Sequence, residues 1–157
     1  MHDRLSESRL GHDRTPRAEL APRPTERIVL HPRADVAVIV MLGEHDLCTA
    51  EELRRVLSKL LAENKLLVVD LSHASFIDSS CIQNLLNVQK QALATNRQLI
   101  IQTGNNQRVL RVLEISGVRP VLRCVDSRAE ALNGHAAKSE IALPSTPLVP
   151  PVGANGR

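Results

Sequence analysis

Short apolar runs alternate with segments of helical period through the middle of this chain, and that alternation restricts the fold more than any other feature. Val36-Ala37-Val38-Ile39-Val40-Met41-Leu42 is unbroken and rich in β-branched residues, as expected of a strand buried on both faces. Leu66-Leu67-Val68-Val69-Asp70-Leu71 reads as a second core strand, and Gln98 to Thr103 holds a third around Leu99-Ile100-Ile101. Ile28-Val29-Leu30, ended by Pro32, reads as an edge strand, and Val121 to Val125 as the last one. Between them, Thr49-Ala50-Glu51-Glu52 forms a capping box before Leu53, Val56, Leu57, Leu60 and Leu61, which follow helical spacing. Ile82, Leu85, Leu86 and Leu93 mark a second helix starting near Ser79. Asn105 or Asn106 can cap a third, carrying Val109, Leu110, Val112 and Leu113 and closed by Gly117. Ser127-Arg128-Ala129-Glu130 opens a short fourth helix that fades at Asn133-Gly134. Strands joined by helices of this length need crossover connections. The expected fold is α/β, a mixed, mostly parallel sheet packed by about four α-helices.

Proline sets the expected boundaries. Eight of the nine prolines lie at positions 16 to 32 or 144 to 151, and only Pro120 interrupts the middle. Residues 1–27 are polar and Arg-rich without periodicity, and residues 136–157 run into a Pro-rich tail. Both are expected to be disordered arms, because they bury too little apolar area to offset their ordering entropy. One domain is expected over residues 28–135.

Composition narrows the function classes. Hydrophobic residues make up 43% of the chain, but Phe76 is the sole aromatic, so the core must be aliphatic. The stacking platforms of single-stranded nucleic-acid binders are missing. The net charge is +3, yet Ala34 to His135 contains 11 basic and 11 acidic residues, so the excess lies in the arms. A neutral body gives no clustered basic face, and no direct nucleic-acid partner is expected. Cys48, Cys81 and Cys124 are odd in number with no close pair, which suits a reducing compartment. No run of about 18 apolar residues occurs, so no membrane insertion is expected. The first residues have no apolar stretch for a secretory signal, and a cytoplasmic location is the expectation.

The segment Asp70-Leu71-Ser72-His73-Ala74-Ser75-Phe76-Ile77-Asp78-Ser79-Ser80-Cys81-Ile82 concentrates the chemistry. A buried strand ends at Leu71, a polar loop is expected next, and a helix begins near Ser79. Asp78, Ser79 or Ser80 therefore meets the free amides and positive dipole end of a helix. Plain capping by one of them accounts for the residue types and is worth roughly 1 kcal/mol. A phosphate on Ser80 would also meet those amides and add about −1.5 to −2 charges beside Asp78. Local residues leave both roles open.

The order of short motifs resembles the STAS domain of anti-sigma-factor antagonists. The motifs are Gly43-Glu44-His45-Asp46, Asp70-Leu71-Ser72, Phe76-Ile77-Asp78-Ser79-Ser80, Leu113-Glu114-Ile115-Ser116-Gly117, and Asp126-Ser127 followed by Glu130-Ala131-Leu132. They span about residues 28 to 133. The resemblance implies a STAS-like fold and no enzymatic activity or cofactor. It implies a protein that binds an anti-sigma factor with serine kinase activity and so releases a sigma factor for transcription. Phosphorylation at Ser80 breaks that complex, and a serine phosphatase restores it. Asp46, Asp78, Ser79, Ser80, Cys81, Gln83 and Asn84 are the implied partner-binding residues.

Two positions depart from the family pattern. Cys81-Ile82-Gln83 replaces the usual Gly-Leu-Gly, placing a side chain where glycine lets a kinase or phosphate approach, and Gln83 enlarges the exposed helix face. His45 replaces an apolar turn residue. Two other functions compete. The same fold can serve as a non-enzymatic docking subunit of a transporter or stress-signalling assembly, without phosphorylation. Cys81 at a helix N-terminus could have a lowered pKa and act in a thiol enzyme or redox sensor, although burial is the commoner state of a free cysteine. His45, Asp46 and Cys48 lack metal-ligand spacing, and a solvated turn with no metal is expected. His73 is expected in a loop.

Overall fold

The computed structural model describes residues 26–140. The arms expected at residues 1–27 and 136–157 therefore lie outside the described residues, except for positions 26, 27 and 136–140. Ten elements follow in order. They are β1 (Glu26–Arg33), β2 (Val36–His45), α1 (Leu47–Glu63), β3 (Leu66–Asp70), β4 (Ala74–Ile77), α2 (Ser79–Ala94), β5 (Gln98–Gln102), α3 (Gln107–Ile115), β6 (Cys124–Val125) and α4 (Arg128–Glu140).

The main sheet runs β1-β2-β3-β5-β6, with β4 paired to β2 off that path. β1 is antiparallel to β2, and every other pairing is parallel. The mixed, mostly parallel α/β sheet expected from the alternating pattern is thus the observed one. The apolar runs divide by parity, as strand geometry requires. Ala37, Ile39, Met41, Leu67, Val69, Leu99 and Ile101 face a core closed by Leu53, Leu57, Leu85, Val88, Val109 and Leu113 from the first three helices. Val36, Val38, Val40, Leu66, Val68 and Ile100 face the opposite side, against Ala131 and Leu132 of α4.

Several boundaries differ from expectation. α1 starts at Leu47, ahead of the Thr49 capping box, because the Asp46 side chain accepts the Cys48 amide at 3.0 Å and makes Asp46 the N-cap. Thr49 bonds backward, its hydroxyl donating to the Asp46 carbonyl at 3.1 Å. The polar loop expected after Leu71 contains a strand, β4. The last strand is only Cys124–Val125, because the chain turns tightly over Val118–Leu122, whose amides at 121 and 122 both donate to the Val118 carbonyl. α4 runs through Asn133-Gly134 rather than fading there. Gly134 makes room for a side chain instead of ending the helix, since an added Cβ would stand 2.6 Å from Arg123 Nη2. Gly117 does end α3: at φ +66° its amide donates to Glu114 and that of Val118 to Leu113, a Schellman closure.

Candidate functional site

β2 is ten residues long and uses its two halves differently. Val36–Val40 pairs with β3, and the far end, Gly43–His45, pairs with β4. Gly43 takes φ +77° where this second pairing shifts register. Gly43-Glu44-His45 is therefore strand, not the turn that the motif suggested. His45 sits directly beside Ile77, so the two parallel strands end together. The next residue on each chain segment, Asp46 and Asp78, is the N-cap of the helix that follows. Two helices thus start side by side, with two carboxylates at their positive ends.

Asp78 joins the two starts. Its Oδ1 accepts the Ser80 amide at 2.9 Å, the Cys81 amide at 3.1 Å and the Ser80 hydroxyl at 2.5 Å. Its own amide donates to the His45 carbonyl at 3.2 Å. Burial alone would raise the Asp78 pKa. Hydrogen bonds from the Ser80 hydroxyl and from the amides of Cys81, Ser80 and Leu47, the first residue of α1, outweigh that and hold it below the usual carboxylate range. Asp78 thus holds two of the amides at the start of α2, those of Ser80 and Cys81.

The implied binding residues separate into exposed and buried groups. Ser79 and Gln83 are exposed, while Asp46, Asp78 and Ser80 are half-buried at the rim. Cys81 is turned into the core at 1% exposure, so it adds nothing to the exposed face. Asn84 is also buried, its Nδ2 donating to the Ala50 carbonyl at 2.8 Å and fastening α2 to α1. Leu47, Ala50, Glu51, Ser80, Gln83 and Asn84 line an open cleft of about 270 Å³ between the helix starts.

Leu47 is the residue sequence reasoning missed. It is 75% exposed at the mouth of this cleft. A signal existed, because Leu47 lies six positions before Leu53, about 120° off the buried stripe of α1. Glu51 on the same rim carries Arg54 at 2.8 Å and Arg55 at 3.1 Å. These hydrogen bonds, that of Arg54 foremost, lower its pKa to about 2. Phe76 is half-exposed on β4, close to this end of the sheet.

The other Asp-x-Ser motif has similar local geometry and a different setting. Asp70 Oδ1 accepts the Ser72 amide and hydroxyl at 3.0 and 2.5 Å, but its Oδ2 takes Arg128 Nη2 at 3.0 Å. Asp70 is buried and ion-paired, whereas Asp78 has no ion pair among the described residues. His73 lies in the turn between these motifs, as expected.

A nucleophilic role for Cys81 required a lowered pKa. Burial, with the Asp78 charge adding to it, instead pushes the thiol up to about 12. His45 is fully buried on β2 rather than in a solvated turn, and burial followed by the Arg27 guanidinium holds its imidazole below the ordinary value. Among the described residues no group of His, Cys, Asp or Glu is placed to hold a metal ion, and no helix is long and apolar enough to cross a membrane.

A family model described as MlaB, STAS domain, matches residues 30–123. The structure is similar to the unphosphorylated anti-sigma factor antagonist SpoIIAA of Bacillus, with TM-score 0.62 and 20% identity over 71% of this chain and 97% of that one. An anti-sigma factor antagonist from Mycobacterium paratuberculosis gives 0.64 and 22% over 73% and 96%. A sulfate transporter family protein from Wolinella succinogenes gives 0.59 and 19% over 69% and 90%. At these identities the likeness is one of fold.

Proposed function

The chain belongs to the STAS-domain family, and from that premise we propose that it is an anti-sigma-factor antagonist whose docking face is switched at Ser80. In its unmodified form the protein binds an anti-sigma factor with serine kinase activity in the cytoplasm, releasing a sigma factor for transcription. Phosphorylation at Ser80 ends that complex, and a serine phosphatase resets it. One observation carries this reading: Ser80 lines the same open cleft as the exposed Leu47, at the point where two helices begin.

The chemistry of the switch follows from what surrounds Ser80. Phosphorylation removes the proton that the hydroxyl donates to Asp78 and replaces it with about −1.5 to −2 charges. Asp78 already holds the Ser80 and Cys81 amides, and Glu51 lies on the same cleft. A phosphate there would stand beside the Asp78 and Glu51 carboxylates at the cleft that the partner is proposed to enter. Leu47 supplies the apolar anchor of the unmodified interface, with Ser79 and Gln83 as polar rim. Because Cys81 is buried, its replacement of the family glycine adds no exposed side chain beside Ser80.

Affinity capture with wild type, Ser80→Ala and Ser80→Asp tests this. A kinase-like anti-sigma factor retained by wild type and Ser80→Ala and lost by Ser80→Asp supports the reading. Capture of transporter components, indifferent to both substitutions, would replace it with a docking role free of phosphorylation. That second role is favoured by the likeness to the sulfate transporter family structure.

A further inference from the structure

The two strands that end the main sheet are unequal. β6 presents two residues, whereas β1 presents eight. Edge strands are usually short, charged or covered, because open backbone N–H and C=O groups recruit another strand. β6 obeys that rule by its length; β1 carries charge, Pro32 and a register shift only toward its ends, and its centre is unprotected. The centre of β1 is Ile28, Val29 and Leu30, exposed by 47, 40 and 39%. Neighbouring strand residues point to opposite faces, so no element packed on one face can cover all three. Another strand at the edge contacts both faces at once.

Charge says which strand fits. β1 begins with Glu26 and ends with Arg33, and neither forms an ion pair among the described residues. Arg27 is committed to Glu52 at 2.6 Å. A parallel copy of β1 would set Glu26 against Glu26 and Arg33 against Arg33. An antiparallel copy brings each acidic end to the basic end of its mate. Opposed residues in an antiparallel pair are either both hydrogen-bonded or both not, so a strand pairs with itself about a residue rather than between two.

We propose that β1 pairs antiparallel with β1 of a second copy of this chain, about a two-fold axis at Val29. Ile28 then lies opposite Leu30 of the second copy, burying the apolar triplet, and Arg27 lies opposite His31. Glu26 falls opposite Pro32, next to Arg33. Pro32 has no amide to donate, so the ladder stops there and residues 27–31 form it. The interface is isologous and closes as a dimer, joining the two sheets into one.

Two measurements on the full chain test this. Sedimentation of the wild type should show a dimer that dissociates on dilution, and Val29→Lys should be monomeric at the same concentrations with an unchanged melting curve. In a Cys48→Ser background, which removes the exposed thiol, Val29→Cys should cross-link to a disulfide dimer on mild oxidation. Its Cα would stand about 4.5–5.5 Å from its mate, within disulfide reach. Lys90→Cys, on the exposed side of α2, is the control and should remain uncross-linked. A wild type that stays monomeric at high concentration overturns the proposal, whether or not another polypeptide binds β1. So does Val29→Cys that cross-links no faster than Lys90→Cys. If Val29→Lys fails to fold, the cysteine pair decides alone.

Discussion

The Ser80 hydroxyl donates to Asp78 Oδ1 at 2.5 Å, and that same oxygen holds the amides of Ser80 and Cys81. The proposed modification site and the helix cap are therefore one hydrogen-bonded unit. Phosphate at Ser80 would remove the hydroxyl's proton from that unit and leave the two backbone amides as the donors to Asp78.

Asp78 should be visible in the acid limb of stability. Its folded pKa is depressed, so its contribution is present above the ordinary aspartate range and is lost as pH falls below about 4. Asp78→Ala should cost about 1–2 kcal/mol at neutral pH. Asp78→Asn keeps an acceptor for the cap and should lose less stability between pH 6 and pH 3 than wild type, by urea unfolding across roughly that range. Parallel acid limbs for wild type and Asp78→Asn would contradict the assigned role.

His45 should act higher on the pH scale. A buried imidazole with a lowered pKa is neutral in the folded protein, while the unfolded chain binds a proton below about pH 6.5. Stability should therefore begin to fall as pH drops through that value. His45→Phe should flatten this first step and leave the Asp78 step in place, read from melting temperature against pH.

Leu47 separates binding from folding. Its side chain is 75% exposed, so Leu47→Ala should change unfolding free energy by no more than about 0.5 kcal/mol. As an interface anchor it should cost the captured partner at least roughly tenfold in affinity, about 1.4 kcal/mol. Calorimetric titration against the partner, alongside urea unfolding of the variant alone, reads both quantities.

Cys81 should be inert until the fold opens. With its thiol pushed up to about 12 and 1% exposed, it should resist alkylation at pH 8 while Cys48 reacts. Peptide mass mapping with and without denaturant checks this. Cys81→Gly restores the family residue but places glycine in a helix, which should cost about 1 kcal/mol or more. Partner affinity should be unchanged.

The sheet was legible because its strands are unbroken apolar runs, and runs such as Val36–Met41 are buried on both faces whatever surrounds them. Helix starts were less legible. Thr49-Ala50-Glu51-Glu52 satisfies the capping-box pattern, yet Asp46 three residues earlier captures an amide first, and nothing local tells the two apart. β4 was hidden because Ala74-Ser75-Phe76-Ile77 is short and partly polar, and it becomes a strand only because β2 outlasts β3 and offers an open edge. That tertiary pairing aligns His45 with Ile77 and so puts Asp46 beside Asp78. The Asp78-Ser79-Ser80 motif was readable; the adjacent cleft with its exposed Leu47 was not. Conversely Cys81, conspicuous in sequence, proves to be an interior residue.

The central claim is that one hydroxyl controls docking at this cleft. The direct measurement is the dissociation constant of the captured anti-sigma factor for unmodified protein and for protein carrying phosphate at Ser80, taken at equal ionic strength. The account predicts a loss of at least about a hundredfold on phosphorylation, roughly 2.7 kcal/mol, with the melting temperature little changed. Equal affinities for the two forms, or a loss explained by unfolding of the phosphorylated protein, would contradict it.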